Sequence, residues 1–392
     1  MVVALVAAAG LLTLALLPGP WLSNLQRDRS SGHDELVPLL SRIDASIQRR
    51  EVDGVAMDWR YQVSPSEEIR QTVICQLLAY VELYRAHPTA RVLRDITDRA
   101  DFLIRRLDAI RSDTPFDGML GYSLLAAYDV ARDERYFREG ARITAALQAI
   151  PTGQCVLNGG LMAAMATTQY WQLTGDAACQ RKSRDILEQL APSQNEDGSF
   201  PHWCSGSRDI HYTGWMAMEL IHIQRMERTP LVARMLKRMD VFLEGRIGAD
   251  GRARYEEACP DSVDCRRYFY SRASGCKIDY DTRGWTVEPA YSLLVFDHFH
   301  SPRYAPVMKF LLSLEHDGTF ADLYDYRPPP ADPEYPWTIA DTSMVNTSII
   351  FWSLATALSG RGRRTGAQDP WFAVAEDSAS RLPTHPGHHV GR

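Results

Sequence analysis

The chain has no surplus of positive charge: 43 Lys and Arg stand against 49 Asp and Glu, for a net charge of −6. That balance argues against a nucleic-acid partner, because phosphate backbones select basic domains. Lysine is nearly missing. Lys182, Lys237, Lys277 and Lys309 are the exceptions, and arginine supplies the other cations. The bias fits a high-GC coding sequence, and it also places a planar fork of donors wherever a carboxylate is to be held. None of the seven cysteines forms a Cys-x-x-Cys pair, which speaks against a zinc site. No other residue pattern calls for a metal or a cofactor.

What the chain does have begins with a continuous apolar segment, Val2 to Leu17, closed by Pro18-Gly19-Pro20. Extended by Trp21 and Leu22 it is about long enough to span a bilayer. We read residues 1–23 as an uncleaved signal-anchor, with a cleaved signal peptide as the alternative. Arg27 and Arg29 would favour a cytoplasmic C-terminal side, yet the rest of the chain has an extracytoplasmic look. The expected location is therefore the periplasmic or extracellular face of a membrane, with secretion second. Cys75 lies in an apolar helical run and reads as a buried thiol. Cys259, Cys265 and Cys276 crowd one polar insertion, where a disulfide would help an exported protein most.

The most informative feature is a repeat. An amphipathic helix ends, a glycine turn and a short aromatic stretch follow, and a more apolar helix begins. The turns read Asp117-Gly118, Asn158-Gly159-Gly160, Asp197-Gly198-Ser199-Phe200, Asp250-Gly251 and Asp317-Gly318-Thr319-Phe320. Recurrence at roughly 40–60 residues means stacked units that share one core. Apolar helices are expected from Glu67, Met119, Gly160, Tyr212, Trp285 and Thr342, the last ending at Leu358. Amphipathic partners are expected over Leu93–Ile110, Arg135–Ile150, Ala177–Leu190, Leu231–Leu243 and Arg303–Leu314. Residues 24–66 read as a linker and a docking helix, Leu36 to Arg49, that could supply the sixth outer partner. Residues 67–359 form the repeat domain, and 360–392 a disordered tail rich in Arg, Gly, Pro and His. The expected fold is all-α: an (α/α)6 toroid of helical hairpins with long loops at one mouth. An open solenoid of the same hairpins is the alternative.

Three loops are long enough to carry function: Asn195–His211, Gly251–Gly284 and Ala321–Ala340. In a ring, their junctions with the apolar helices converge. Those junctions supply the candidate catalytic residues His211, Tyr212, Asp281, Arg283 and Asp341, and the candidate substrate-binding residues Asn158, Trp203, Trp285, Glu288 and Trp337. Each has a plainer role to set against that. Asp341 can cap a helix, Asn158 can make a turn, Glu288 can favour a helix dipole, and the tryptophans can be core. Two chemistries fit. Glycoside hydrolysis needs two carboxylates, which Asp281 or Glu288 with Asp341 could provide. Uronate elimination or epimerisation needs an acid, a base and a group that holds the sugar carboxylate. Tyr212 or His211 with another tyrosine suits the proton transfers, and Arg283 or Asn158 suits the carboxylate.

The layout from Glu67 to Leu358 resembles the (α/α) toroid superfamilies: six-hairpin glycosidases, toroidal polysaccharide lyases and terpenoid cyclases. Trp337 to Ser343 resembles the Asp/Glu-Thr-Ser helix starts of the glycosidases. Gln194 to Trp203 resembles the Gln-Trp repeats of the cyclases, but no Asp-x-Asp-Asp motif accompanies it; Asp279-Tyr280-Asp281-Thr282 is the nearest approach. Val156-Leu157-Asn158-Gly159 and Ile210-His211-Tyr212-Thr213 resemble segments of the C-terminal helical domain of glucuronyl C5-epimerases. That likeness implies an asparagine and a tyrosine beside a uronate, although the family's β-rich N-terminal part has no counterpart here. The expected function is a membrane-anchored or exported enzyme acting on a polysaccharide, by lyase- or epimerase-type proton abstraction or by hydrolysis. A terpenoid-cyclase-like enzyme and a non-catalytic glycan-binding toroid are the alternatives.

Overall fold

The structure is a computed structural model that describes residues 35–57, 65–155, 157–201, 208, 210–253, 284–321, 323–324 and 343–364. Its long helices are α1 (Leu36–Arg50), α2 (Pro65–Ala86), α3 (Ala90–Ile104), α4 (Asp117–Ala131), α5 (Glu134–Ala149), α6 (Leu157–Thr174), α7 (Ala177–Leu190), α8 (Ile210–Met226), α9 (Pro230–Arg246), α10 (Val287–Phe299), α11 (Tyr304–Leu314) and α12 (Met344–Arg364). The even-numbered helices form the inner ring. Each packs on the next, and α12 packs on α2 to close it. The odd-numbered helices pack outside. The only named strands among the described residues are β1 (Gly284–Trp285) and β2 (Leu323–Tyr324), paired antiparallel.

Sequence pattern explains the two layers. The first eleven residues of α4, Asp117–Ala127, are buried without a gap, as are Val287–Asp297 of α10. A helix buried on all sides must be apolar on all sides. The outer helices bury one stripe and carry their own caps. Thr89, Asp133, Asp176 and Thr229 each accept a hydrogen bond from a backbone N–H in the first turn of α3, α5, α7 and α9. Links from inner to outer helix are short, as at Arg132-Asp133. Links from outer to inner are long and gather at the N-terminal ends of the inner helices. Those ends share one mouth. The Tyr212 hydroxyl of α8 reaches Asn158 of α6, and Asn346 near the start of α12 donates to the Thr286 hydroxyl just before α10 at 3.3 Å. The opposite ends meet as well: Arg225 of α8 lies 3.2 Å from Glu82 of α2.

The repeated turns prove to be of two kinds. Asp117-Gly118 and Asn158-Gly159-Gly160, expected as turns, lie in the first turns of α4 and α6 instead. The true turns hold glycine at positive φ and wedge it against the next outer helix. A Cβ on Gly198 would lie 2.0 Å from the Arg238 carbonyl oxygen of α9, and one on Gly251 2.2 Å from the Pro306 carbonyl oxygen of α11. Gly318 closes the circle, since its Cβ would lie 2.1 Å from the Arg42 carbonyl oxygen of α1. Asp53-Gly54 belongs to the same set. Its flanking residues Val52 and Val55 pair just as His316 and Thr319 do around Asp317-Gly318. Both turns put Asp and Gly at positive φ, the geometry in which Asp-Gly is favoured. After two of the turns the aromatic residue that follows is pinned. The Phe200 N–H donates to the Thr213 hydroxyl, and the Phe320 N–H donates to the Thr347 hydroxyl.

Helix ends need small corrections. α10 starts at Val287, because Gly284-Trp285 is held in the strand pair. α12 runs on to Arg364 rather than stopping at Leu358, because Arg361 in its last turns reaches Asp297 and the Tyr304 hydroxyl. The expected partner of α2, Leu93–Ile110, breaks into α3 and a separate turn, Leu107–Ile110. Among the described residues, no helix is long and apolar enough to cross a membrane. The apolar segment of residues 1–23 lies outside them, as does the tail after residue 364.

Candidate active site

Asn158 opens α6 and Tyr212 lies in the first turn of α8. They are far apart in sequence, and ring closure brings them together. The Tyr212 hydroxyl donates to Asn158 Oδ1 at 2.7 Å and accepts the Asn158 backbone N–H at 3.0 Å. The Gly159 N–H also donates to Asn158 Oδ1, at 2.9 Å. The amide is thereby fixed by its oxygen. Leu157, just before it, has φ 48°, a conformation that costs a branched residue energy. The Asn158 N–H beside it points at the phenol. The phenolic oxygen thus sits at a helix N-terminus, where the backbone favours negative charge.

Below the mouth, one face of α8 carries His211, Trp215, Glu219 and His222 at three- and four-residue spacing, which stacks them along the ring axis. His211 packs edge-on to Tyr291 of α10, with ring centroids 5.7 Å apart, and Tyr291 packs edge-on to Trp215 at 6.0 Å. Gly214 permits this approach, since a Cβ there would lie 2.7 Å from the Tyr291 Cβ. Trp215 is only partly buried. Its indole N–H donates to Glu219 Oε1 at 2.7 Å. Glu219 is 1% exposed, and its other oxygen has no partner among the described residues. Burial pushes the Glu219 carboxyl well above the usual carboxylate range, against the pull of the Trp215 N–H. Burial, with Cys75, Glu219 and Glu288 nearby, likewise pushes the Tyr291 hydroxyl well up.

The sequence candidates divide accordingly. Asn158, His211, Tyr212 and Glu288 are described and lie on α6, α8 and α10 at the mouth, with Glu288 fully buried. Trp203, Asp281, Arg283, Trp337 and Asp341 lie outside the described residues, and of Trp285 only the backbone pairing is described. Cys204, Cys259, Cys265 and Cys276 also lie outside them. Cys75, Cys155 and Cys179 are buried free thiols. The segment likened to a Gln-Trp repeat does structural work where it is described: Gln194 donates to the Gly198 and Met235 carbonyls and fastens the turn to α9. Sequence reading missed Trp215, Glu219 and Tyr291, which look like ordinary members of apolar helices. The spacing of His211, Trp215 and Glu219 along one face of α8 was the available signal. Among the described residues, no group of three or more His, Cys, Asp or Glu side chains is gathered as a metal site.

No family model matches the chain. No curated protein matches it either. Solved structures do. An unsaturated glucuronyl hydrolase specific for heparin superposes with a TM-score of 0.61 at 11% identity, over 85% of this chain and 99% of that one. A sugar epimerase from a ruminal bacterium gives 0.60 at 9% identity, over 86% and 100%. A polysaccharide lyase gives 0.56 at 12% identity, over 87% and 100%. The chain has the (α/α)6 toroid fold. At such identities the likeness speaks to fold alone, and the hydrolase, epimerase and lyase all share it.

Proposed function

We propose that this toroid is a carbohydrate-active enzyme that acts on a uronate-containing polysaccharide by proton transfer at C5, with Tyr212 as the proton-handling group. The observation that carries the reading is the reciprocal Asn158–Tyr212 pair at the N-terminus of α6. When Tyr212 gives up its proton, the Asn158 N–H and the helix end favour the charge left on oxygen. The Asn158 NH2 group suits one oxygen of the sugar carboxylate. The neighbouring His211 suits the second proton transfer, at a different angle on the same helix turn. Trp215 offers a ring face to a pyranose. His211 and the partly buried Trp215 of α8 favour a sugar over an isoprenoid, which would call for an apolar lining. The hydrolase, epimerase and lyase that share the fold agree with a sugar polymer as substrate. On this reading residues 1–23 hold the enzyme at the outer face of a membrane, where such polymers are found.

The test is a panel of polyuronates. An elimination gives an unsaturated product that absorbs in the ultraviolet, and an epimerisation in heavy water puts deuterium at C5. Tyr212→Phe should lower either rate about 10²–10⁴-fold. Release of saturated reducing ends, lost in Asp341→Asn and retained in Tyr212→Phe, would replace this reading with hydrolysis. Membrane fractionation of the full chain against one lacking residues 1–23 tests the location.

A further inference from the structure

Among the described residues Phe116 is the one exposed Phe, Tyr or Trp side chain, while Trp215, Tyr128 and Phe137 are partly buried. Tyr80, Tyr122, Tyr136, Tyr291, Phe102, Phe200, Phe296, Phe320, Phe351 and Trp352 are all essentially inaccessible, whereas Phe116 is 47% exposed. It directly precedes α4, so it lies at the mouth of the ring, and its ring edge rests 3.5–3.6 Å from where a Cβ on Gly159 would be. Gly159 follows Asn158. The exposed ring therefore flanks the Asn158–Tyr212 pair, across a strip of backbone that carries no side chain.

The ring is also rigidly mounted. The Asp117 carboxylate, 3% exposed, accepts hydrogen bonds from the Ser112 N–H (2.9 Å), the Ser112 hydroxyl (2.7 Å) and the Asp113 N–H (2.9 Å). Arg70 and Arg111 each lie 3.8 Å from the same carboxylate. Met119, Gly118 and Asp117 donate back to Phe116, Pro115 and Thr114, so the segment folds directly into α4. This bracket fixes its backbone and leaves its one large apolar side chain in solvent. Burying a phenylalanine is favourable by about 1.5–3 kcal/mol, and a segment this well braced forgoes much of that. Braced aromatic surface that stays exposed is what a stacking contact requires, since little ordering cost remains on binding.

We propose that Phe116 is the stacking platform of a second sugar subsite, which takes a pyranose ring of the polymer next to the one that reacts at Tyr212. The assignment rests on the polysaccharide reading above and extends it to substrate length. The polymer lies across Gly159, with one ring on Phe116 and the next over the Asn158–Tyr212 pair.

Binding can be measured without turnover in the Tyr212→Phe background, by calorimetry with uronate oligosaccharides of increasing length. Adding Phe116→Ala should weaken hexasaccharide binding about 5- to 20-fold and leave disaccharide binding within twofold. Phe116→Leu keeps the apolar bulk without the ring and should behave like the alanine variant. An equal loss at every length, or affinity restored by leucine, overturns the subsite. A melting temperature within a few degrees of the parent excludes misfolding as the cause. Phe116→Trp separates this proposal from the uronate reading. Fluorescence quenching by neutral oligosaccharides but not by acidic ones keeps the subsite and rejects uronate. Quenching by no oligosaccharide of either class rejects the subsite.

Discussion

At the end of the ring opposite the mouth, buried charges meet charges. Glu82 pairs with Arg85 at 2.7 Å and with Arg225 at 3.2 Å, and also takes the Ser359 hydroxyl. Arg85 continues to Asp129 at 3.0 Å, and Arg225 donates to the Thr356 carbonyl at 2.6 Å. His222 sits between the Tyr122 hydroxyl at 3.0 Å and the Thr356 hydroxyl at 3.2 Å. Toward the mouth, the second oxygen of Glu219, the Tyr291 hydroxyl and the Trp352 indole N–H are buried with no partner among the described residues. Each such group costs about 1–3 kcal/mol. One end of the same six helices is held together mainly by paired charges, with Glu227 Oε2 as an exception there, and the other carries an expense that stability does not explain. That contrast separates scaffold from site without any appeal to relatives.

The largest expected effects sharpen the contrast. Tyr212→Phe should lose about 10²–10⁴-fold in turnover while melting within a few degrees of the parent, since the lost contact is worth about 1 kcal/mol. Glu82→Ala should do the reverse. It leaves Arg85 and Arg225 buried without their carboxylate, at a cost of about 3–5 kcal/mol, while the folded fraction keeps its activity. Denaturant titration and activity per folded molecule measure both. An inactive but stable Glu82→Ala protein would break the division. Glu82 also predicts a pH response. Burial pushes its carboxyl up, but Arg85, Arg225, His222 and Ser359 more than offset that and bring it down to about 2 from an ordinary 4.5. A lowered carboxyl contributes stability above its unfolded value and loses it as pH falls. Roughly 3 kcal/mol should therefore vanish between about pH 5 and pH 2, and the Glu82→Ala variant should lack that acid limb.

A smaller effect is expected at the seams. Gly318→Ala forces a side chain onto φ 74° and into the Arg42 carbonyl, so it should destabilise by on the order of 2–3 kcal/mol. Gly175→Ala is the control. It meets the same backbone strain at φ 77° with nothing within 4 Å, and should cost only about 1 kcal/mol. Equal losses in the two variants would mean that the Gly318 contact does not help close the ring.

Periodicity made the hairpins legible, because each inner helix must be apolar all round and each outer one on a single stripe. Ala177–Leu190 was bounded to the residue, and most other ends fell within three residues. The first turns of α4 and α6 were misread because glycine looks alike in a turn and in a tightly packed helix start. Gly118 is needed there, since its Cβ would lie 2.2 Å from the Met162 backbone. Asp53-Gly54 escaped notice because no aromatic follows it. Asn158 and Tyr212 were visible as residues at helix starts, but their pairing needed the closed ring. Glu219 and Tyr291 were illegible for a different reason: an isolated polar residue in an apolar helix shows burial, and only the neighbouring helices show what faces it.

The subtlest test lies at Glu219. Glutamine there can keep the bond from the Trp215 N–H and removes only the ionisable proton. In the folded protein, burial pushes the Glu219 carboxyl well above the usual range, so as pH rises past the ordinary carboxylate value the fold holds on to this proton longer than the unfolded chain does. Where the native state binds more protons than the unfolded one, stability falls as pH rises. Near pH 4 both states are largely protonated at this position, and the wild type and Glu219→Gln should be equally stable. From there toward neutrality the wild type should fall progressively behind, read as a melting temperature that drops with pH more steeply in the wild type than in the variant. The variant should thus be the more stable protein under working conditions. A gap that opens with pH marks Glu219 as a group kept against the interest of the fold, as the mouth-side reading requires. A gap that stays constant means the Glu219 carboxyl ionises in the native protein as it does in the unfolded chain, its charge compensated there, and Glu219 then carries no such expense.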